Sequence, residues 1–302
     1  MSFVSFVSKL LAIVLWLALA SSASAADFTF AAFGDTPYSK DEEARFPGLI
    51  AEMNHENLAF VVNVGDFKNS IEACTDELFA VRRQWFDLSR HPFIYAPGDN
   101  EWTDCRRSVF DPRDPLERLG KLRELFAGGA ESLGQNRIRL ERQLPAYPEH
   151  ASWEYQGLLF LTLNAPGPDN HARVPEEHAA RDAAMREWVT RAFTLAQKRK
   201  SPAVVIFMQG DPWTAAGEPR RGFARLLETM ASQTRAFRGE VMLVHGDTHR
   251  YRVDQPLRET VGGVALANFT RVEVFGYPTM NWVRVRVSEE AGRLRFTVTP
   301  GS

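Results

Sequence analysis

The segment Val244-His245-Gly246-Asp247-Thr248-His249 closes an apolar run with a carboxylate set between two imidazoles. Four other apolar runs stop at the same dipeptide: Gly34-Asp35, Gly65-Asp66, Gly98-Asp99 and Gly210-Asp211. One Gly-Asp pair is ordinary turn chemistry. Five of them, the last extended to Asp-x-His, deliver carboxylates and an imidazole to strand ends. Carboxylates brought together repel, by about 4 kcal/mol for two charges about 4 Å apart at an effective dielectric near 20. Such a cluster takes up protons, pairs with cationic side chains or binds a metal ion. Lys68 is the one basic residue inside these turns, so a metal is the simplest solution, with His249 as an imidazole ligand.

The elements that must position these residues are short and regular. The runs over 28–33, 60–64, 93–97, 204–209 and 241–245 are rich in β-branched and aromatic residues and read as strands. Helical patterns lie between them, over 41–54, 75–90, 114–126, 175–200 and 218–237. Thr75 stands as an N-cap, Pro175 fits a first helical position, and Pro47 interrupts the first pattern. The first three Gly-Asp pairs are spaced for successive βαβ units. Parallel neighbours present their carboxyl ends along one edge, so five such strands in one sheet would share a rim. Residues 128–149 and 165–175 read as loops, 151–164 as a strand pair turning at Gly157, and the segments after His249 as strands.

The chain has 302 residues and a formal net charge of −2. Its basic residues are scattered, with no stripe that would favour nucleic acid. Lys9, the apolar run 10–20 and Ala23-Ser24-Ala25 form a secretory-signal pattern cleaved after Ala25, which implies a periplasmic or secreted protein without a stable membrane anchor. The run is short for a membrane span, which takes about 20 residues, and an uncleaved N-terminal anchor is the competing reading. Residues 26–302 then read as one domain, since no repeat or low-complexity linker divides them. The only two cysteines, Cys74 and Cys105, either pair in an oxidising compartment or stay as separate buried thiols.

The blocks Asp35-Thr36-Pro37, Gly65-Asp66-Phe67-Lys68-Asn69, Gly98-Asp99-Asn100-Glu101, Gln209-Gly210-Asp211 and Gly246-Asp247-Thr248-His249 occur in an order that resembles the calcineurin-like metallophosphoesterases. The resemblance runs from residue 28 to 249. It implies an α/β fold, a two-sheet α/β/β/α sandwich, and a pair of metal ions that clamp a phosphate ester and activate water. Carried over, it makes Asp35, Asp66 and His249 ligands of one metal, with Asp66 bridging. Asn69, Asp99, Gln209, Asp211 and Asp247 complete the candidate set. Asp99 stands where the family has Asn, and Asp247 where it has the first histidine of Gly-His-x-His.

Where the family has the histidine of Asp-x-His, this chain has Pro37, and Asn100 replaces the histidine that assists the leaving group. With imidazoles replaced by carboxylates, Mn, Mg, Ca or Fe is expected before Zn. Asn100 can donate a hydrogen bond to a phosphoryl oxygen but is no acid. His171 is the candidate acid, and a solvated loop histidine is the competing assignment. Trp102 and Trp213 fit a pocket wall or the core, and His245 fits a packed structural role. The expected substrate is a small phosphate ester. The rival is a non-catalytic protein on the same scaffold that binds a metal or a phosphate-bearing ligand. Gly-x-Ser-x-Gly, Walker A and His-Glu-x-x-His motifs are absent.

Overall fold

A computed structural model describes residues 27–109, 111–260 and 262–301. The expected secretory signal lies outside them. In chain order the elements are β1 (Phe28–Phe33), α1 (Lys40–His55), β2 (Val61–Asn63), α2 (Asp76–Phe86), β3 (Phe93–Tyr95) and α3 (Pro115–Ala127). Then come β4 (Glu141–Gln143), β5 (Tyr147–Tyr155), β6 (Leu158–Thr162), α4 (Pro175–Arg199), β7 (Ala203–Phe207), α5 (Ala224–Ala236) and β8 (Glu240–His245). Four strands close the chain: β9 (Arg252–Asp254), β10 (Phe269–Glu273), β11 (Val283–Glu290) and β12 (Arg293–Pro300).

The strands form two sheets, ordered β12-β11-β1-β2-β3 and β4-β5-β6-β7-β8-β10-β9. One sheet edge for all five Gly-Asp runs is therefore corrected. The runs β1, β2 and β3 are parallel neighbours in the first sheet, and β7 and β8 are parallel neighbours in the second. Side-chain alternation explains the layering. On β1, Phe30 and Ala32 face the second sheet while Ala31 and Phe33 face the helices. On β7, Val205 and Phe207 face the first sheet while Val204 and Ile206 pack with Trp188, Phe193 and Met230 of α4 and α5. The result is helices, sheet, sheet, helices, as the resemblance implied.

Local signals held where they had a mechanism. Thr75 caps α2 by accepting from Leu78 N at 3.1 Å, and Pro175 opens α4. α1 runs through Pro47 because Pro47 and Gly48 lie on its exposed face, while Phe46, Leu49, Ile50 and Met53 bury the other. The loop expected over 128–149 contains β4 and the start of β5, an edge pairing with a register shift at Arg142/Gln143. A three-residue strand of Glu, Arg and Gln carries no alternation to reveal it. Among the described residues no helix is long and apolar enough to cross a membrane.

Candidate functional site

The Gly-Asp turns of β1, β2 and β8 put Asp35, Asp66 and Asp247 in the left-handed region, with φ of 52°, 58° and 81°. His249 follows at 61°. Asp tolerates this conformation better than most residues, because its short side chain can hydrogen-bond locally. The glycines beside the aspartates allow close approach. A Cβ on Gly98 would lie 2.1 Å from Asp66 Oδ1, and one on Gly246 would lie 2.0 Å from Asp35 Oδ2. Backbone bonds then tie the turns together. Asp35 N donates to Gly65 O at 3.1 Å, Asp247 N donates to Asp35 Oδ2 at 3.0 Å, and Gly246 N donates to Gln209 O at 2.9 Å. The rim is thus shared between sheets, although the strands are not.

Asp35, Asp66 and Asp99 are buried, and Asp247 is partly exposed. Burial is the main force raising all four carboxyl pKa values. Neighbouring carboxylates add to it: Asp247 at Asp35, Asp99 at Asp66, and Asp247 at Asp99. The Asp247 carboxyl is pushed up to about 6. Among the described residues no lysine or arginine forms an ion pair with any of the four. Lys68 is buried nearby, but its Nζ donates to the carbonyl oxygens of Asn69 and Asn100, each at 2.7 Å. Asp99 Oδ1 is buried with no partner.

His249 Nδ1 lies 2.9 Å from Tyr277 O. A carbonyl only accepts, so Nδ1 carries the proton and the Nε2 lone pair is free, 3.8 Å from Asp35 Oδ1. Burial also lowers the His249 pKa, which keeps the ring a neutral ligand. Asp35, Asp66, Asp99, Asp247 and His249 are the candidates whose side chains neighbour one another on this rim.

The remaining candidates are placed differently. Asp211 adjoins the cluster through its backbone N–H, which donates to Asp247 Oδ2 at 2.9 Å, while its carboxylate pairs with Arg252 Nη2 at 2.7 Å and Arg271 Nη1 at 3.5 Å. Asn69 caps the following turn through Oδ1, which accepts from Ile71 N and Glu72 N, while Nδ2 donates to Tyr38 O. Gln209 reaches the cluster, but as a donor. Its Oε1 accepts from Gly167 N at 2.6 Å, which turns Nε2 toward Asp66 Oδ2 at 3.2 Å and Asp35 Oδ1 at 3.5 Å. Asn100 uses both amide hydrogens, on Tyr38 Oη at 2.8 Å and Lys68 O at 3.0 Å. His171 is a buried member of a different network, with Nδ1 2.9 Å from Glu177 Oε2 and its ring 5.2 Å from Trp102. The solvated-loop assignment for it is therefore also corrected. His245 is packed as expected, with Nδ1 donating to Gly246 O at 2.8 Å. Trp102 is a core residue, and Trp213 is buried but also lines a cavity with Arg252 and Arg271.

Two residues escaped the sequence reading. Glu101 accepts from Asp66 N, Gly98 N and Tyr95 Oη, at 3.0, 2.7 and 2.7 Å, and so fixes the second and third turns to each other. Tyr38 donates to Asp66 Oδ2 at 2.8 Å. Burial and the Asp66 charge raise its phenol pKa and keep it protonated. The available signals were Glu101 inside the third block and Tyr38 three residues after Asp35.

The donor set fits a hard divalent cation in its chemistry: buried carboxylate oxygens, one neutral imidazole and an orphaned Asp99 oxygen. In this conformation no three His, Cys, Asp or Glu side chains among the described residues converge on a metal position. Gln209 Nε2, bonded to both Asp35 and Asp66, separates the first two carboxylates instead.

Without metal, Asp99 is expected to be a liability, and Asp99→Asn should stabilise the protein. The folded Asp99 carboxyl has a raised pKa, so wild-type stability is lost as pH rises above the unfolded value near 3.8 and through the folded one. Asn carries no such penalty. Its advantage should be small near pH 3.5 and grow as pH rises. Thermal melts of chelated wild type and variant across pH 4–7.5 check this. A constant or shrinking gap would refute it.

Structural comparison supplies the wider frame. A dimetal phosphatase from Danio rerio is similar at 11% identity and TM-score 0.50, over 91% of this chain and 99% of that one. PhoD is similar at 13% identity and TM-score 0.52, over 90% of this chain and 68% of that one. A purple acid phosphatase from yellow lupin (Lupinus luteus) seeds is similar at 12% identity and TM-score 0.53, over 92% of this chain. The chain spans about half of the lupin protein, 52% of its length. No protein-family model matches the chain, and no curated protein matches it in sequence. The fold is the two-sheet, helix-flanked α/β sandwich of the metallophosphoesterase type.

Proposed function

We propose that this protein is an exported, metal-dependent hydrolase of phosphoric esters, with a carboxylate-rich mono- or dinuclear site. The observation that carries the reading is the gathering of Asp35, Asp66, Asp99 and Asp247, with the His249 lone pair, on one rim where no lysine or arginine among the described residues forms an ion pair with them. Asp35, Asp66 and His249 would hold the first ion, and Asp99 and Asp247 would serve a second. A bound divalent cation would polarise a phosphoryl oxygen and lower the pKa of water. The chain's own residues orient this set: Glu101 locks two turns, Tyr277 O fixes the His249 tautomer, and Tyr38 holds Asp66. The disulfide between Cys74 and Cys105 supports the assignment to an oxidising compartment.

Two features support the rival reading, a scaffold that binds a metal or a phosphate-bearing ligand without turnover. Pro37 offers no ligand, and the Asn100 amide is already committed to Tyr38 and Lys68. Hydrolysis of aryl and alkyl phosphate mono- and diesters, with Mn²⁺ or Mg²⁺ and then with chelator, separates the two. Metal-restored turnover supports the hydrolase. Ligand binding with no turnover under any metal supports the rival and overturns the hydrolase.

A further inference from the structure

We infer that Arg220 is the anion-binding residue of this site: its guanidinium takes a non-bridging oxygen of the bound phosphoryl group, so that monoesters are preferred to diesters. The inference rests on the phosphoester reading and deepens it. Arg220 is fixed at two points on the turn that follows β7. Its backbone N–H donates to Pro212 O at 2.9 Å, and its Nε donates to Trp213 O at 3.0 Å. That turn is itself bonded to the carboxylate rim, since Asp211 N donates to Asp247 Oδ2 at 2.9 Å. The chain just after Arg220 is pinned from the other side. Gly222 N donates to Asp169 Oδ1 at 2.7 Å, and Gly222 O accepts from Asn170 Nδ2 at 2.9 Å. Asp169 and Asn170 belong to the loop of Gly167, where a Cβ would lie 2.4 Å from Asp247 Oδ1. Both segments that hold Arg220 therefore abut Asp247.

With Nε anchored, the two terminal nitrogens of Arg220 make no hydrogen bond or ion pair among the described residues. Arg252 and Arg271, by contrast, are each shared between two carboxylates. Arg220 is partly exposed, and its positive charge acts on Asp247, opposing the rise that burial imposes on that carboxyl. Asp35 and Asp66 are buried, whereas Asp247 and His249 are partly exposed. An ester therefore reaches the rim at the turn after β8, on the side where Arg220 stands. A planar fork of N–H donors fits phosphoryl oxygens. An anchored fork also loses little freedom when the anion binds. A monoester offers three non-bridging oxygens and two negative charges, and a diester offers two and one. The additional oxygen and charge are what an arginine beside the carboxylates recognises.

Methylphosphonate and dimethylphosphinate differ in oxygens and charge as a monoester and a diester do, and they test this without turnover. Each is titrated into the manganese-loaded protein at mildly alkaline pH, where the phosphonate is doubly charged. The wild type is expected to bind the phosphonate more tightly. Arg220→Ala should weaken phosphonate binding by about 10- to 100-fold, the loss of a charged hydrogen bond, and leave the phosphinate nearly unchanged. Arg220→Lys, which keeps the charge without the fork, should fall between. Mn²⁺ retention should match the wild type in both variants, because Arg220 bonds to none of the four carboxylates. Equal affinity in the wild type, an unchanged ratio in Arg220→Ala, or lost Mn²⁺ retention in that variant would overturn the role of Arg220 alone. Binding of neither anion by the wild type would overturn the phosphoester reading and this inference with it.

Discussion

Asp66→Asn is expected to lose divalent-metal uptake and about 10³-fold or more in ester hydrolysis while keeping the fold. Asp66 is the residue on which the site converges. Its oxygens accept from Asn100 N at 3.0 Å, Tyr38 Oη at 2.8 Å and Gln209 Nε2 at 3.2 Å. All three are donors, so the position is built for a carboxylate. An amide in its place offers one oxygen and turns an NH₂ toward a donor. The lost metal contribution is several kcal/mol of charge stabilisation, and each 1.36 kcal/mol is tenfold in rate. The fold should survive, because the substitution also removes one member of a repelling set. Initial rates with saturating Mn²⁺ and a near-ultraviolet circular dichroism spectrum provide the check. Wild-type turnover in a folded variant would remove Asp66 from the chemistry.

The second large effect concerns the disulfide. Cys74 and Cys105 are joined at a sequence separation of 31, and both sulfurs pack against Asn100 O, at 3.6 and 3.9 Å. The same carbonyl accepts from Lys68 Nζ at 2.7 Å. The bridge therefore braces the loops that carry Asp66 and Asp99. Replacing both cysteines by alanine should destabilise the protein by about 3–4 kcal/mol through loop entropy. For a chain of this size that is on the order of 10 °C in Tm. Metal affinity should also fall, by about tenfold, because the two loops would no longer be fixed before binding. Melting curves and a Mn²⁺ titration of the double variant measure both. An unchanged Tm would show that the bridge closes nothing that the fold does not already hold.

Much of this arrangement was legible in the sequence because its signals are local. Gly-Asp after an apolar run marks a strand end, and Thr75 and Pro175 mark helix starts, each through a bond or an angle within a few residues. The division into two sheets was not readable from periodicity. A buried parallel strand reads the same in either sheet, and only the resemblance implied the sandwich. Side-chain direction was the other blind spot. Asp211 and Gln209 sit in the right turns, yet Arg252 and Arg271 claim the first and Gly167 orients the second. Those partners lie 41, 60 and 42 residues away. Asn69 caps a turn for a nearer reason, since an Asn ahead of a turn is both a ligand type and a cap type. His171 is drawn to Glu177 by α4, whose first turn presents that carboxylate. Tyr38 and Glu101 were passed over because neither is a familiar metal ligand in its block, although both hold Asp66 in place.

The most direct test of the central claim is the metal content of the purified protein after chelation and reloading with Mn²⁺, read by elemental mass spectrometry against protein concentration. A shared rim of four carboxylates and His249 predicts one or two equivalents retained through gel filtration. No retained metal under any loading condition, with Mg²⁺, Ca²⁺ and Fe²⁺ tried in turn, would contradict it and leave the carboxylates as parts of the turns.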